Sequence, residues 1–254
     1  MLLRCLRLPL LLGALLCPSL AGAAPAAVRD GHTLQLGDVV YVLSGIDAPE
    51  VDQLCLDDHA DPVACGVQGR DRLAALVAGR DVRCEDKGPD ATFRNRRSGL
   101  CFVDKEAVSL NQQLVRLGLA VSGPQGPFRA DAETARGART GLWMGCFVAP
   151  ADFRAFRKDA PLLGAACRPE TEAATRTALF PEEATAPPGC TVKGRYSARA
   201  RFTGHVGIFH GQVCRSYSTV TRPQRWFCSE DDARAAGFRR AYNCRPRVQR
   251  PRPG

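Results

Sequence analysis

Gly45-Ile46-Asp47-Ala48-Pro49-Glu50 sets two carboxylates three residues apart around a proline-stiffened turn. A strand-like run precedes it: Val39, Tyr41 and Leu43 alternate against their neighbours, and the Gly37-Asp38 turn joins segments 28–36 and 38–46 as two strands. Within the first of these lies Asp30-Gly31-His32-Thr33. Downstream, residues 66–79 put Val67, Leu73, Leu76 and Val77 on one helical face, with Gly79 as a stop. Segments 81–85 and 99–103 read as further short strands. Ser109 caps a helix with an apolar stripe of Leu110, Leu114, Val115 and Leu117, ended by Gly118. A third helix is expected over 130–143, with Ala132, Ala135 and Leu142.

The chain has 254 residues, 45% apolar and 24% charged, enough for one sizeable core and a smaller unit. Residues 1–23 read as a signal peptide: Arg4 and Arg7 form a positive start, the apolar run that follows is too short to span a bilayer, and Ala21-Gly22-Ala23 is a small-residue cleavage site. No later segment reads as a membrane span, so the mature chain is expected to be secreted or periplasmic. Cys5 and Cys17 leave with the signal. The ten remaining cysteines form an even set without C-x-x-C spacing, which points to a disulfide framework rather than thiol-held metal. Local pairs are expected, Cys55 with Cys65 and Cys84 with Cys101.

The formal charge of +9 is unevenly spread. Residues 24–150 carry 14 Lys+Arg against 17 Asp+Glu, 151–189 carry 5 against 6, and 190–254 carry 14 against 3. Attraction to polyanions therefore belongs to the last quarter of the chain.

Together, Gly45-Ile46-Asp47-Ala48-Pro49-Glu50, Gln53…Cys55…Cys65-Gly66, Leu110-Asn111…Leu114-Val115-Arg116…Gly118-Leu119-Ala120 and Ala132-Glu133…Gly141-Leu142-Trp143 resemble the thermonuclease (staphylococcal-nuclease-like, TNase-like) family over about residues 26–150. Strands first and helices afterwards suit the fold this resemblance implies, an α+β, mainly β, five-stranded OB-type barrel with three helices. The resemblance also implies a hydrolase, a calcium-type endonuclease acting on phosphodiesters. Such a reaction needs oxygen ligands for a hard cation, a carboxylate for the attacking water and cationic donors on the phosphate. Carried over, Asp47 is a metal ligand through its carboxylate and Ala48 through its carbonyl. Glu50 is the base, and Arg96, within Arg94-Asn95-Arg96, is the phosphate clamp, with Arg94 and Arg97 as substitutes if the register slips.

Two positions depart from that pattern. His32 replaces a calcium-binding aspartate, and imidazole nitrogen suits zinc or manganese better than calcium. His32 also reads as a turn residue bonded to its own backbone. Val42 stands where the family has a second arginine and offers no donor to a phosphate oxygen. Removing one preorganised donor costs roughly 3–4 kcal/mol of transition-state stabilisation. No base-stacking aromatic follows Ala120, where the chain reads Val121-Ser122-Gly123-Pro124. His59, among Asp57, Asp58 and Asp61, reads as solvated.

Segment 151–189, rich in Ala, Thr, Glu and Pro, reads as a linker. Residues 190–254 are similar to the small sunset-type cysteine module appended to exported thermonuclease-like proteins. In it, Ser229 with acidic first-turn residues and Gly237 bound a short helix, and Cys190, Cys214, Cys228 and Cys244 allow three pairings. The Arg/Pro tail after residue 244 should stay extended. The expected function is that of an exported thermonuclease-like protein whose hydrolysis of DNA or RNA is weakened or lost. The alternative is a non-catalytic nucleic-acid or envelope-polyanion-binding protein that works mainly through residues 190–254.

Overall fold

The computed structural model describes residues 25–92, 95–123 and 125–244. The expected signal peptide, Arg94, Pro124 and the Arg/Pro tail lie outside the described residues. Three short strands open the fold, β1 (Ala27–Asp30), β2 (Thr33–Leu36) and β3 (Val39–Leu43). A two-residue pair, β4 (Cys55–Leu56) and β5 (Pro62–Val63), leads into helix α1 (Cys65–Val77). Next come the long hairpin β6 (Val82–Pro89) and β7 (Arg97–Val103), then α2 (Leu110–Arg116) and α3 (Arg129–Gly137).

The sheet order is β1-β2-β3-β7-β6, antiparallel throughout except for the parallel β3–β7 pair. It is open: β1 and β6 are its edges, and no ladder joins them among the described residues. The five strands of the expected OB-type barrel are thus present in one sheet, without barrel closure among the described residues. β1 is four residues long and bulged between Val28 and Asp30, which leaves little edge to pair. Leu34, Leu43, Leu73, Leu110, Leu114 and Val115 fill the core between sheet and helices. Asn111 is wholly buried and ties three elements together. Its Nδ2 donates to the carbonyls of Ser44 (2.8 Å) and Gly99 (3.0 Å), and its Oδ1 accepts from Cys101 N. That satisfies the backbone where β3 runs into the Asp47 turn.

Seven α-helices occur among the described residues; α1, α2 and α3 fall within the segment where three were expected, and four more follow from Pro150 onward. The helix expected over 130–143 stops at Gly137, because Arg139 and Gly141 take positive φ and a 3-10 turn follows at Gly141–Trp143. Beyond it, β8 (Phe147–Val148), α4 (Pro150–Arg154), β9 (Leu162–Leu163) and α5 (Glu172–Leu179) occupy much of the segment expected to be a linker. Phe153, Ala160, Leu179 and Phe180 are buried there with Leu56, Cys146 and Val148. Composition hid this core, because its apolar residues are irregularly spaced and their partners lie far away in sequence. The remaining elements are β10 (Val192–Tyr196), α6 (Ala198–Arg201), β11 (Gly207–His210), β12 (Arg225–Phe227), α7 (Glu230–Ala235) and β13 (Phe238–Arg240). The four strands form a second sheet, β12-β10-β11-β13.

Five disulfides staple the chain. Cys55–Cys65 and Cys84–Cys101 are the expected local pairs, joined by Cys146–Cys167, Cys190–Cys228 and Cys214–Cys244. They fit an extracellular or periplasmic protein. No helix among the described residues is long and apolar enough to cross a membrane.

The carboxylate turn is pressed against the start of α1. A Cβ on Gly66 would lie 1.7 Å from the carbonyl oxygen of Glu50, so backbone would have to move. Gly66→Ala should therefore destabilise the protein by about 1–3 kcal/mol, the usual range for overpacking, read as a lowered midpoint in urea unfolding.

Candidate functional site

The β1–β2 turn and the β3 exit deliver the two acidic motifs to one place. Asp30 Oδ1 accepts from the backbone N–H of His32 (2.9 Å), and His32 Nδ1 stands 3.1 Å from the same oxygen, too poorly aligned for a good hydrogen bond. The other ring nitrogen, Nε2, is 3.8 Å from Asp47 Oδ1. The Asp47 backbone is locked to Val121 by two hydrogen bonds of 2.9 and 2.8 Å. Ala48 is wholly buried in the core, and a Cβ on Gly31 would come within 3.0 Å of its own, so the two turns are in direct contact. Gln53 braces Glu50: its Oε1 accepts from Glu50 N and its Nε2 donates to Val148 O. His32, Asp47, Ala48 and Glu50 are thus brought together. Val42 is buried in β3 opposite Thr33.

Four residues that sequence reading did not assign occupy the space between them. Arg154, at the end of α4, grips Asp47 with both terminal nitrogens (Nη1 2.9 Å, Nη2 2.7 Å), and Nη1 also donates to Glu50 Oε1 (2.8 Å). Arg225, opening β12, is 1% exposed. Its Nε and Nη2 donate to Asp52 (2.8 and 2.9 Å), and Nη2 also reaches Glu50 Oε2 (3.1 Å). The rings of Phe153 and Phe227 flank that guanidinium at 4.8 and 5.0 Å. Asp231 and Asp232, in the first turn of α7, face Arg96.

Arg96 is the candidate phosphate clamp, and its side chain is 3% exposed. Nη2 donates to Asp232 Oδ1 (2.6 Å) and Asp231 Oδ2 (3.3 Å), while Nη1 lies 4.0 Å from Asp30 Oδ2. Arg29 and Asn95 also donate to Asp231. Arg97 turns away to pair with Asp86 on the hairpin edge. His59 is largely exposed beside Asp58. Six carboxylates (Asp30, Asp47, Glu50, Asp52, Asp231, Asp232) therefore meet four guanidiniums (Arg29, Arg96, Arg154, Arg225), with His32 at the centre. The residual cavity bounded by Asp30, Glu50, Asp52 and Asp232 measures about 20 Å³. That admits about one water.

The titration behaviour follows from these contacts. Burial alone would raise Glu50, but Arg154 and Arg225 outweigh it and lower its pKa. Burial likewise opposes the charge on Asp30, and His32 and Arg96 prevail to hold it ionised. Burial would lower His32, yet Asp30 and Asp47 raise it above its ordinary value of 6.5. Asp232 is raised, chiefly by burial. A donor set of this kind fits calcium poorly. The oxygens of Asp47 and Glu50 already accept from Arg154, and His32 offers nitrogen where calcium favours oxygen. Among the described residues, no cluster of three His, Cys, Asp or Glu side chains is placed to hold a metal.

Arg154 went unassigned because it sits in the segment read as a linker. Arg225 belongs to the quoted Arg225-Trp226-Phe227-Cys228 run but lies 173 residues from Asp52. The acidic first turn of α7 had a sufficient local explanation in the helix dipole.

No family model matches the chain. It is similar to the succinoglycan biosynthesis protein ExoI of Rhizobium meliloti (strain 1021), with 34% identity over 141 residues that span 52% of this chain and 72% of that protein.

Two outcomes follow from the ion pairs. Arg225→Ala leaves Asp52 buried and uncompensated, so unfolding free energy in urea should fall by about 3–5 kcal/mol. Because the folded-state pKa of His32 is raised, its contribution is complete below pH 6.5 and is lost as pH rises through the folded value. Stability should therefore decline above pH 6.5, and His32→Gln should flatten that decline in a pH series of unfolding curves. Glu50 acts in the opposite sense, contributing above its ordinary 4.5 and losing that contribution as pH falls through its lowered value.

Proposed function

We propose that this chain, which belongs to the same family as the succinoglycan biosynthesis protein ExoI, is an exported, non-hydrolytic binding protein for anionic components of the cell envelope, built on a thermonuclease-type domain. The observation that carries this reading is the double grip of Arg154 on Asp47 and Glu50. One guanidinium holds both the carboxylate that would ligate a cation and the carboxylate that would take a proton from water. A carboxylate with a lowered pKa is also a weaker general base. Arg96, the remaining phosphate donor, is ringed by Asp30, Asp231 and Asp232, which repel an incoming phosphate.

Binding falls to the other end of the chain. Residues 190–229 hold seven Lys+Arg and no Asp or Glu; Arg225 is buried in the ion-pair network, and Arg195, Arg199, Arg201, Arg215 and Arg222 are exposed. Such a surface attracts polyanions through charge alone, with strong salt dependence. The relative's name concerns the making of a glycan, which accords with an envelope role.

The test uses the exported chain with single-stranded DNA and RNA, each in calcium, manganese, zinc or chelator, beside Glu50→Gln. The expected result is no cleavage above that control, together with binding to anionic polymers that weakens steeply as salt rises. Calcium-dependent cleavage abolished by Glu50→Gln would overturn the reading.

A further inference from the structure

The turn that closes α6 carries a feature for which the pocket has no use. Phe202 is 92% exposed, more than any other large apolar side chain among the described residues. It is not on a loose loop. Ala200, next but one, is wholly buried, and its carbonyl accepts from Thr203 N (3.0 Å), His205 N (3.1 Å) and Thr203 Oγ1 (2.8 Å). Gly204 N donates to Arg201 O (3.0 Å), and Gly204 takes φ +73°, which ends the turn sharply. The ring is therefore held outward by a bonded frame, so contact requires no ordering of the turn.

Its surroundings are cationic. Arg195, Arg199 and Arg201, on β10 and α6 just before it, are exposed, and among the described residues none of the three pairs with a carboxylate. An exposed apolar ring flanked in the chain by exposed, unpaired guanidiniums has the chemistry of an interfacial anchor: the ring enters the boundary between headgroups and acyl chains while the arginines meet lipid phosphates. Base sites offer stacking platforms, whereas among the described residues no ring stacks on Phe202. The other strongly exposed aromatic residue, Tyr242, is covered by the Arg239 guanidinium at 4.0 Å.

We propose that the Arg199–Phe202 turn, with Arg195 beside it, docks on an anionic lipid bilayer, Phe202 inserting at the interface. This rests on the envelope-binding reading and names the anionic partner as lipid.

The experiment is sedimentation of the full exported chain with vesicles of phosphatidylglycerol and phosphatidylcholine, or of phosphatidylcholine alone, in parallel with binding to single-stranded DNA and to an acidic polysaccharide. Phe202→Ser and Arg199→Gln/Arg201→Gln are compared with the wild type. The wild type is expected to sediment with the anionic vesicles only. Phe202→Ser should weaken that partition about tenfold, the scale of one lost apolar side chain, and leave binding to soluble polyanions unchanged. Phe202→Trp should shift its emission to the blue on anionic vesicles. Vesicle binding unaffected by Phe202→Ser, or binding to soluble polyanions with none to anionic vesicles, would overturn the lipid proposal and leave the envelope reading standing. Failure to bind any of these partners would overturn both.

Discussion

A guanidinium buried to 1% exposure cannot stand without a carboxylate beside it, and Arg225 has two, Asp52 and Glu50. The desolvation of such an ion is worth several kcal/mol, so its partners must be in place for the fold to close. The consequence reaches both sheets. Arg225 opens β12 in the second sheet, while Asp52 and Glu50 belong to the turn after β3 in the first. Trp226 N adds a bond to Asp52 (2.7 Å), and Tyr196 OH joins the network through Arg225 Nη1 (3.3 Å). The carboxylate turn is thereby built into the seam between the two sheets.

From that constraint the state of the pocket follows. Arg154 completes the neutralisation of Asp47 and Glu50 from one side, and the first turn of α7 neutralises Arg96 from the other. The same residue types that could bind a cation, activate water and clamp a phosphate are present and close together. Each, however, already has an opposite charge at hydrogen-bonding distance. An arrangement of this kind holds the chain together better than it holds a substrate, because each group is already engaged by a fixed internal partner.

Much of the local structure was legible in the sequence. Alternation in β3, the Ser109 cap whose side chain accepts from Gln112 N, and the Ser229 cap of α7 are all properties of a few consecutive residues. The two short-range disulfides likewise span only ten and seventeen positions. Three features were not legible. Among the described residues no ladder joins β1 to β6, and β1 is a bulged four-residue strand. The core around Phe153 and Phe180 draws on α4, α5 and β4, with no periodicity of its own. The arginines that fill the pocket come from 104 and 173 residues away, and an isolated Arg in a polar stretch carries no mark of its partner.

The claim that matters most is that Arg154 stands in the place a divalent cation would need. Isothermal calcium titration of the wild type and of Arg154→Met, with folding of both checked by circular dichroism, addresses it directly. The account expects no calcium binding to the wild type at millimolar concentrations, and a gain of at least about tenfold in the variant as Asp47 and Glu50 lose their counter-charge. Tight calcium binding by the wild type, unchanged by Arg154→Met, would contradict it.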